Sequence, residues 1–274
     1  MDVPGFAVVT GAASGIGRAT AAAFALEGAA GVALLDINPH ALNDIKREIE
    51  QALANGKNKT NPCRLEIHPL DVSDEDQVNA ALDAIAQSFG RLDYVVNAAG
   101  IAMKHSGGAA FVQTPDWQRI LDVNLNGTFF VLRAAARIML EQAPIPSSAR
   151  DGRPLQRGSI VNFASIQGVV GIALSTAYAA TKHAVIGLTR TASEDYAKDG
   201  LRINAICPGY TETPLTMKDP QVFAAMQERV VSAVPMQRIG RPEEIADGVL
   251  YLAGGRSSFV TGSALMVDGG YTCR

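Results

Sequence analysis

Thr10-Gly11-Ala12-Ala13-Ser14-Gly15-Ile16-Gly17 is the stretch that decides the fold. It follows an apolar run, Phe6–Thr10, that reads as a strand. It opens an alanine-rich helical pattern over Ile16–Glu27. Glycine tolerates φ > 0 and lets the backbone approach a ligand closely. A helix N-terminus adds unpaired N–H groups and the positive end of a dipole, so a pyrophosphate fits there. The spacing is G-x-x-x-G-x-G rather than G-x-G-x-x-G, and a tight turn that holds nothing is the competing reading. The strand–turn–helix frame favours the binding turn, with Gly11, Ser14, Gly15, Ile16 and Gly17 as cofactor-binding residues.

The second strand, Gly31–Asp36, ends on an acid 19 residues after Gly17. An acid there accepts hydrogen bonds from an adenosine ribose diol and repels a 2′-phosphate. Asp36 as a helix N-cap for the segment after Pro39 is the alternative. Arg18 follows the turn as a possible phosphate partner, but no basic residue stands beside Asp36. NAD is therefore expected over NADP.

Outward from this unit the rhythm repeats. Strands are expected at Arg64–Leu70, Leu92–Asn97, Ser159–Ala164, Arg202–Cys207 and Ala264–Val267. Helices are expected at Ala41–Ala54, Glu75–Phe89, Trp117–Glu141, Thr176–Ala197 and Glu243–Ala253. Ser73 and Asp76 stand in capping-box order, and Pro242 precedes Glu243-Glu244. The alternation implies an α/β fold with a mostly parallel sheet covered by helices on both faces and right-handed crossovers. No linker divides the 274 residues, so one domain is expected. Two segments break the pattern. Residues 143–158, with three prolines and three arginines, read as a solvated surface loop. Residues 208–236 follow a strand end and contain only a short helical pattern near Gln221–Val231. They are expected to cover a ligand.

Composition narrows the function classes. With 47% hydrophobic and 19% charged residues, the chain is ordinary globular material. A net charge of −3 argues against a broad nucleic-acid surface. Cys63, Cys207 and Cys273 have neither disulfide nor metal-ligand spacing and read as buried, inert thiols, so no metal is expected. Acidic Asp2 and the early strand do not resemble a secretory leader, and Ala19 to Leu35 is too broken for a membrane span. A cytoplasmic protein without membrane partners is the expectation.

Tyr178 and Lys182 stand four apart in a helical segment and share a face. Free tyrosine has a pKa near ~10, too high for a base at neutral pH, and a neighbouring ammonium favours the phenolate. Ser165 lies 13 residues upstream at a strand end. Its hydroxyl suits a substrate oxygen beside the phenol, or else caps a turn.

Together these residues resemble the classical short-chain dehydrogenase/reductase family. The match includes the glycine turn, Asp36, Asp71-Val72, Asn97-Ala98-Ala99-Gly100, Asn124, Ser165, Tyr178, Lys182, Pro208-Gly209 and Val267-Asp268-Gly269-Gly270. Ala98 stands where many relatives have a second asparagine. The resemblance implies a Rossmann-type doubly wound sheet of seven parallel strands. It implies Tyr178 as general acid/base, and Lys182 as the group that lowers its pKa and binds the nicotinamide ribose. Ser165 would orient the substrate oxygen, and Asn124 would hold a relay water. Asp71 and Val72 would flank adenine. Asn97 and Gly100 would shape the groove. Pro208 and Gly209 would abut the nicotinamide, with Thr213 on its carboxamide or a phosphate.

The implied activity interconverts a secondary alcohol and a ketone. Segments Ile101–Ala110, Ile166–Ser175 and Tyr210–Met236 are expected to line the substrate pocket. They supply Met103, Val169, Val170, Ile172, Leu174, Tyr210, Leu215 and Met217, which indicates an apolar, alicyclic or polycyclic substrate of secondary-metabolite or steroid-like type. His105 and Gln167 are candidate polar contacts, although an exposed loop is the plainer place for His105. An NADPH-linked ketoreductase and a catalytically silent dinucleotide sensor are the rival readings. A homo-oligomer, tetramer or dimer, is expected through Leu125–Glu141 and Thr176–Ala197. Their alanines, Ala134–Ala136, Ala177, Ala180 and Ala184, would pack against a partner or simply on the sheet.

Overall fold

The computed structural model describes residues 3–55, 63–145, 156–217 and 220–273. Its strands are β1 (Phe6–Thr10), β2 (Gly31–Asp36), β3 (Arg64–Pro69), β4 (Tyr94–Asn97), β5 (Gly158–Phe163), β6 (Leu201–Pro208) and β7 (Ala264–Val267). They form one parallel seven-stranded sheet in the order β3-β2-β1-β4-β5-β6-β7. The described helices are α1 (Gly15–Leu26), α2 (Pro39–Asn55), α3 (Glu75–Phe89), α4 (Thr114–Leu121), α5 (Thr128–Glu141), α6 (Thr176–Tyr196), α7 (Pro214–Met217), α8 (Pro220–Ala233) and α9 (Pro242–Ala253).

Both faces of the sheet are buried, so its strands are apolar at successive positions. Along β1, Ala7 and Val9 join α1, α2 and α9 in one core layer. Val8 points the other way and joins Leu82, Ile85, Val131 and Met139 in the second layer, under α3 and α5. The order reverses at β1 and β4, and such a reversal opens a crevice beyond the carboxyl ends of the strands.

Element bounds agree with the sequence reading to within about two residues, with three informative exceptions. The α3 cap falls one residue later than the Ser73 pattern suggests. Asp74 accepts the Gln77 N–H at 3.1 Å and the Gln77 side chain at 2.7 Å, while Ser73 turns to Asp71. The expected helix Trp117–Glu141 is divided by a π-helical turn, Asp122–Gly127. The covering segment holds more helix than its short pattern indicates, because α8 has an apolar side of its own. Met226, Val230 and Val234 pack with Phe223, Tyr210, Ile239 and Tyr271.

Residues 146–155 of the expected surface loop lie outside the described residues. Ala143 and Pro144 are exposed as expected, but Ile145 and Gln156 are buried. The Ile145 N–H donates to Gln156 O at 3.0 Å, and the Gln156 amide donates to Ala253 O at 2.9 Å. Cys207 is buried and burial pushes its thiol up to about 11, whereas Cys273 is exposed, contrary to expectation.

Arg202 staples this end of the sheet. Its guanidinium is buried and donates to Gln156 Oε1, Val260 O, Ala253 O and Gly254 O. Burial pushes its pKa down to about 10. Replacing it strands several acceptors in a dry site, so Arg202→Met is expected to destabilise the fold by about 2–4 kcal/mol. Denaturant unfolding checks this; a change below about 0.5 kcal/mol would contradict the staple.

Candidate active site

A cleft of about 770 Å³ runs across the carboxyl ends of the strands. Gly11, Ser14, Gly15, Ile16, Gly17, Asp36, Asp71, Val72, Gly100, Ser165, Tyr178, Lys182, Pro208, Gly209 and Thr213 all line it. Fifteen expected site residues separated by up to 202 positions therefore share one cavity.

The glycine turn is built as a cradle. Gly11 and Gly15 have φ of 64° and 53°, where other residues are strained. A Cβ on Gly17 would lie 2.2 Å from the Gly11 carbonyl oxygen. A Cβ on Gly15 would lie 3.4 Å from the Thr213 side chain, so the segment after β6 crosses directly over the turn. These are the features a pyrophosphate needs: bare backbone, a helix N-terminus and a close roof.

Asp36 lines the cleft and does not cap α2. Oδ2 accepts the Ala13 N–H at 3.2 Å and Oδ1 accepts the Asn38 N–H at 3.0 Å, which holds the carboxylate beside the turn. The α2 cap itself is Asn38, whose Oδ1 accepts the Ala41 N–H at 3.1 Å. A carboxylate has lone pairs beyond these two for a ribose diol. Arg18 is not directed at a phosphate; it pairs with Glu48 on α2. On the next strand end, Asp71 Oδ1 is held by the Ser73 N–H and hydroxyl at 2.9 and 2.7 Å.

Two asparagines act from behind the wall. Asn97 does not line the cleft; it is buried and donates to Asn162 Oδ1 at 2.8 Å, and Asn162 donates to Thr189 on α6 at 3.0 Å. It shapes the groove by tying β4, β5 and α6 together. Asn124 lies in the π-helical turn. Its amide pairs in both directions with the Ile101 backbone at 2.8 Å, and its carbonyl accepts the Thr128 hydroxyl at 2.8 Å. The wide turn brings Asn124 to this clamp, and such turns recur at functional sites.

Ser165, Tyr178 and Lys182 meet at the far end. The Ser165 hydroxyl oxygen accepts the Gln167 N–H at 3.1 Å, so it caps a turn as well as facing Tyr178. Lys182 Nζ is 5.5 Å from the Tyr178 ring centre and donates to Phe163 O at 2.6 Å. Burial pushes the lysine down to about 8. The Tyr178 hydroxyl is raised, not lowered: burial dominates, and a hydrogen bond with Ser165 opposes it. The Lys182 ammonium lies over the Tyr178 ring while donating to Phe163 O.

Of the apolar side chains expected at the substrate pocket, Leu215 lines the cleft, Val169, Leu174 and Met217 are exposed, and Tyr210 packs instead against the α8 cluster of Met226, Val230 and Val234. His105 is buried, not exposed, because its N–H is drawn to Leu174 O at 2.9 Å. Thr211, Gln118 and Arg119 also line the cleft, and no motif in the sequence marks them. The helical pattern of α4 is legible from Trp117 onward, but periodicity does not show that Gln118 and Arg119 face the cleft.

The family profile described as Enoyl-(Acyl carrier protein) reductase matches residues 11–272. Short-chain dehydrogenase fogB of Aspergillus ruber is 41% identical over 273 residues, covering 99% of this chain and 98% of that protein. The chain belongs to the short-chain dehydrogenase/reductase family. Another relative, cis-4-hydroxycyclohexanecarboxylate dehydrogenase of Sinomonas cyclohexanicum, is 40% identical, covering 97% of this chain and 96% of that protein. The crystal structure of levodione reductase superposes with a TM-score of 0.85 at 32% identity, covering 100% and 99% of the two chains. As a short-chain dehydrogenase/reductase the chain is an oxidoreductase of a nicotinamide dinucleotide family, and the cradle fits that group.

The burial of Lys182 has a price in stability. In the unfolded chain its pKa lies near 10.5, and in the fold near 8, so below pH 8 folding must bury a charge. Lys182→Met is expected to raise stability by about 1–3 kcal/mol at pH 7. The gain shrinks as pH rises from 8 and vanishes above 10.5, where both states are neutral. Unfolding at pH 7 and pH 10.5 checks this; a destabilised variant at pH 7 contradicts it.

Proposed function

We propose that this oxidoreductase uses NAD(H) to interconvert a secondary alcohol and a ketone on an apolar substrate. The observation that carries the reading is the cleft itself, with Asp36 beside the glycine turn and Ser165, Tyr178 and Lys182 together at the other end. The bound nicotinamide supplies the two-electron acceptor or donor. Everything else falls to this chain. The Ser165 hydroxyl, oriented by the Gln167 N–H, holds the substrate oxygen. Tyr178 takes the alcohol proton during oxidation and returns it during reduction. Lys182 binds ribose hydroxyls and passes protons outward, with Asn124 as the positioning residue that clamps the wall at Ile101. Pro208, Gly209 and Thr213 would hold the nicotinamide end, and Asp71 and Val72 the adenine end.

The exposed Val169, Leu174, Leu215 and Met217 support an apolar, alicyclic substrate that covers them. The Sinomonas relative, named for a cyclohexane ring acid, is in keeping with this class. The same reading takes the segment 208–236 as the substrate cover. A homo-oligomer in the cytoplasm is proposed with it. Its contact would not use Ala134–Ala136 or Ala177, which pack internally, but Ala180 and Phe129 remain exposed on α6 and α5.

Three outcomes test the reading. Tyr178→Phe should lower kcat/KM by about 10³-fold while NAD+ binding, followed by fluorescence, stays near wild type; near-normal turnover would overturn the assignment. NAD+ should bind more than about 10-fold tighter than NADP+, and Asp36→Ala should narrow the gap, since a like charge facing the 2′-phosphate is removed. Equal affinities in the wild type would contradict the role of Asp36. Finally, with the phenol pKa held up by burial, kcat/KM for oxidation should climb with pH and that for reduction should fall. A flat profile in both directions would contradict Tyr178 as the proton carrier.

A further inference from the structure

Beneath the reacting end runs a chain of buried polar side chains that the proton transfer does not use. The Thr189 hydroxyl on α6 donates to Val185 O at 2.8 Å, so its oxygen accepts the Asn162 amide at 3.0 Å. Asn162 Oδ1 in turn accepts the Asn97 amide at 2.8 Å. Asn97 also donates to Thr128 O at 3.4 Å, and the Thr128 hydroxyl donates to Asn124 O at 2.8 Å. Asn97, Asn124, Thr128, Asn162 and Thr189 are all buried. Asn97 Oδ1 has no partner among the described residues, and this fixes the sense of the chain. Turned over, the Asn97 amide would set its oxygen against two acceptor oxygens.

Apolar side chains would fill a layer between sheet and helix without this desolvation, so a polar chain there calls for a reason. Paired polar networks rigidify a core and specify one arrangement of it. What this one fixes is the seat of α6. Tyr178, Lys182, Val185 and Thr189 follow one another at helical spacing and share one face of α6. That face meets the carboxyl end of β5 and the residues after it at three points. Ser165 bonds the Tyr178 hydroxyl, Phe163 O accepts Lys182 Nζ at 2.6 Å, and Asn162 bonds Thr189. The contacts run backward along β5 as they run forward along α6, so a slide of the helix shifts all three together. The first two belong to the reacting end. The third lies about two turns beyond Lys182 and is tied through Asn97 to β4 and to Thr128.

We infer that Asn162 and Thr189 are positioning residues for the proton transfer: their hydrogen bond sets the register of α6 on β5, and with it the place of Tyr178 and Lys182 beside Ser165. The inference rests on the alcohol–ketone reading above. Neither residue lines the cleft, so each acts through the helix it seats and not by touching substrate or cofactor. A misplacement of about 1 Å at a reacting group costs on the order of 10²-fold in rate, so a small slip of α6 is enough to reach the chemistry. The apolar packing of α6 is separate from this bond, since Val185 and Ile186 join Ala164, Ala205 and Cys207 in a cluster of their own. Losing the hydroxyl of Thr189 therefore relaxes the register and leaves the helix docked.

The test uses Thr189→Val, which keeps the shape and removes the hydroxyl, Thr189→Ser, which keeps the hydroxyl, and Asn162→Leu. Oxidation of cyclohexanol, menthol and borneol by NAD+ is measured per NADH-binding site, with sites titrated by fluorescence. On the fastest of these alcohols, Thr189→Val and Asn162→Leu should each lower kcat per site by about 10-fold or more while KM stays within about 3-fold of wild type. Thr189→Ser should recover most of the loss. If Asn162→Leu does not fold, the two Thr189 variants decide. A role confined to stability would lower the thermal midpoint and the number of NADH-binding sites and leave kcat per site unchanged. That result overturns the inference and leaves alcohol oxidation at Tyr178 standing, as does a Thr189→Ser variant as slow as Thr189→Val. A wild type that binds NADH but oxidises none of the three alcohols removes the alcohol reading, and the inference with it.

Discussion

The pairing of β1 with β2 on one side and β4 on the other is the constraint on which the site depends. Chain order runs outward from β1 in one direction and from β4 in the other, so the loops after these strands separate instead of covering each other. The glycine turn leaves β1 into this gap and Ala98–Gly100 leaves β4 beside it. A Cβ on Gly11 would lie 2.9 Å from Ala98 O and from the Ala99 backbone, so the two loops touch through bare backbone. Parallel register does the rest, since it carries the ends of β2, β5 and β6 at Asp36, Phe163 and Pro208 to one cleft.

Around that cleft the chain tolerates arrangements that a stability-optimised fold would avoid. Lys182 is buried against a carbonyl rather than a carboxylate, and Leu174 holds a left-handed backbone. Arg202 is buried too, but its neutral partners all belong to the scaffold, where it fastens β6 to the end of α9. The contrast separates the two uses of buried charge. One anchors chain segments; the other keeps a titratable group beside a phenol where proton movement is needed.

Much of this was legible in the residues. Strand positions follow from apolar runs bounded by glycine and polar residues, and the parallel sheet follows from their alternation with helices. The cofactor cradle was legible because glycine has few other reasons to occupy Gly11, Gly15 and Gly17. The π-helical turn at Asp122–Gly127 was not legible, since its helical periodicity is continuous with its neighbours and the Asn124–Ile101 clamp it carries joins residues 23 positions apart. The raised Tyr178 pKa was not legible, because four-residue spacing places Lys182 on the same face but does not show how deeply the phenol is buried. His105 looked like a loop residue, and a backbone hydrogen bond to a distant segment buried it.

The account stands or falls on one geometry, that of a dinucleotide lying from Asp36 to Lys182. A crystal structure of the chain with NAD+ measures it directly. The account predicts the adenosine ribose diol on Asp36, the pyrophosphate over Gly15 beneath Thr213, and the nicotinamide between Pro208-Gly209 and the Tyr178–Lys182 pair. A cofactor that leaves Asp36 without a ribose contact, or whose nicotinamide lies away from Ser165 and Tyr178, would contradict it.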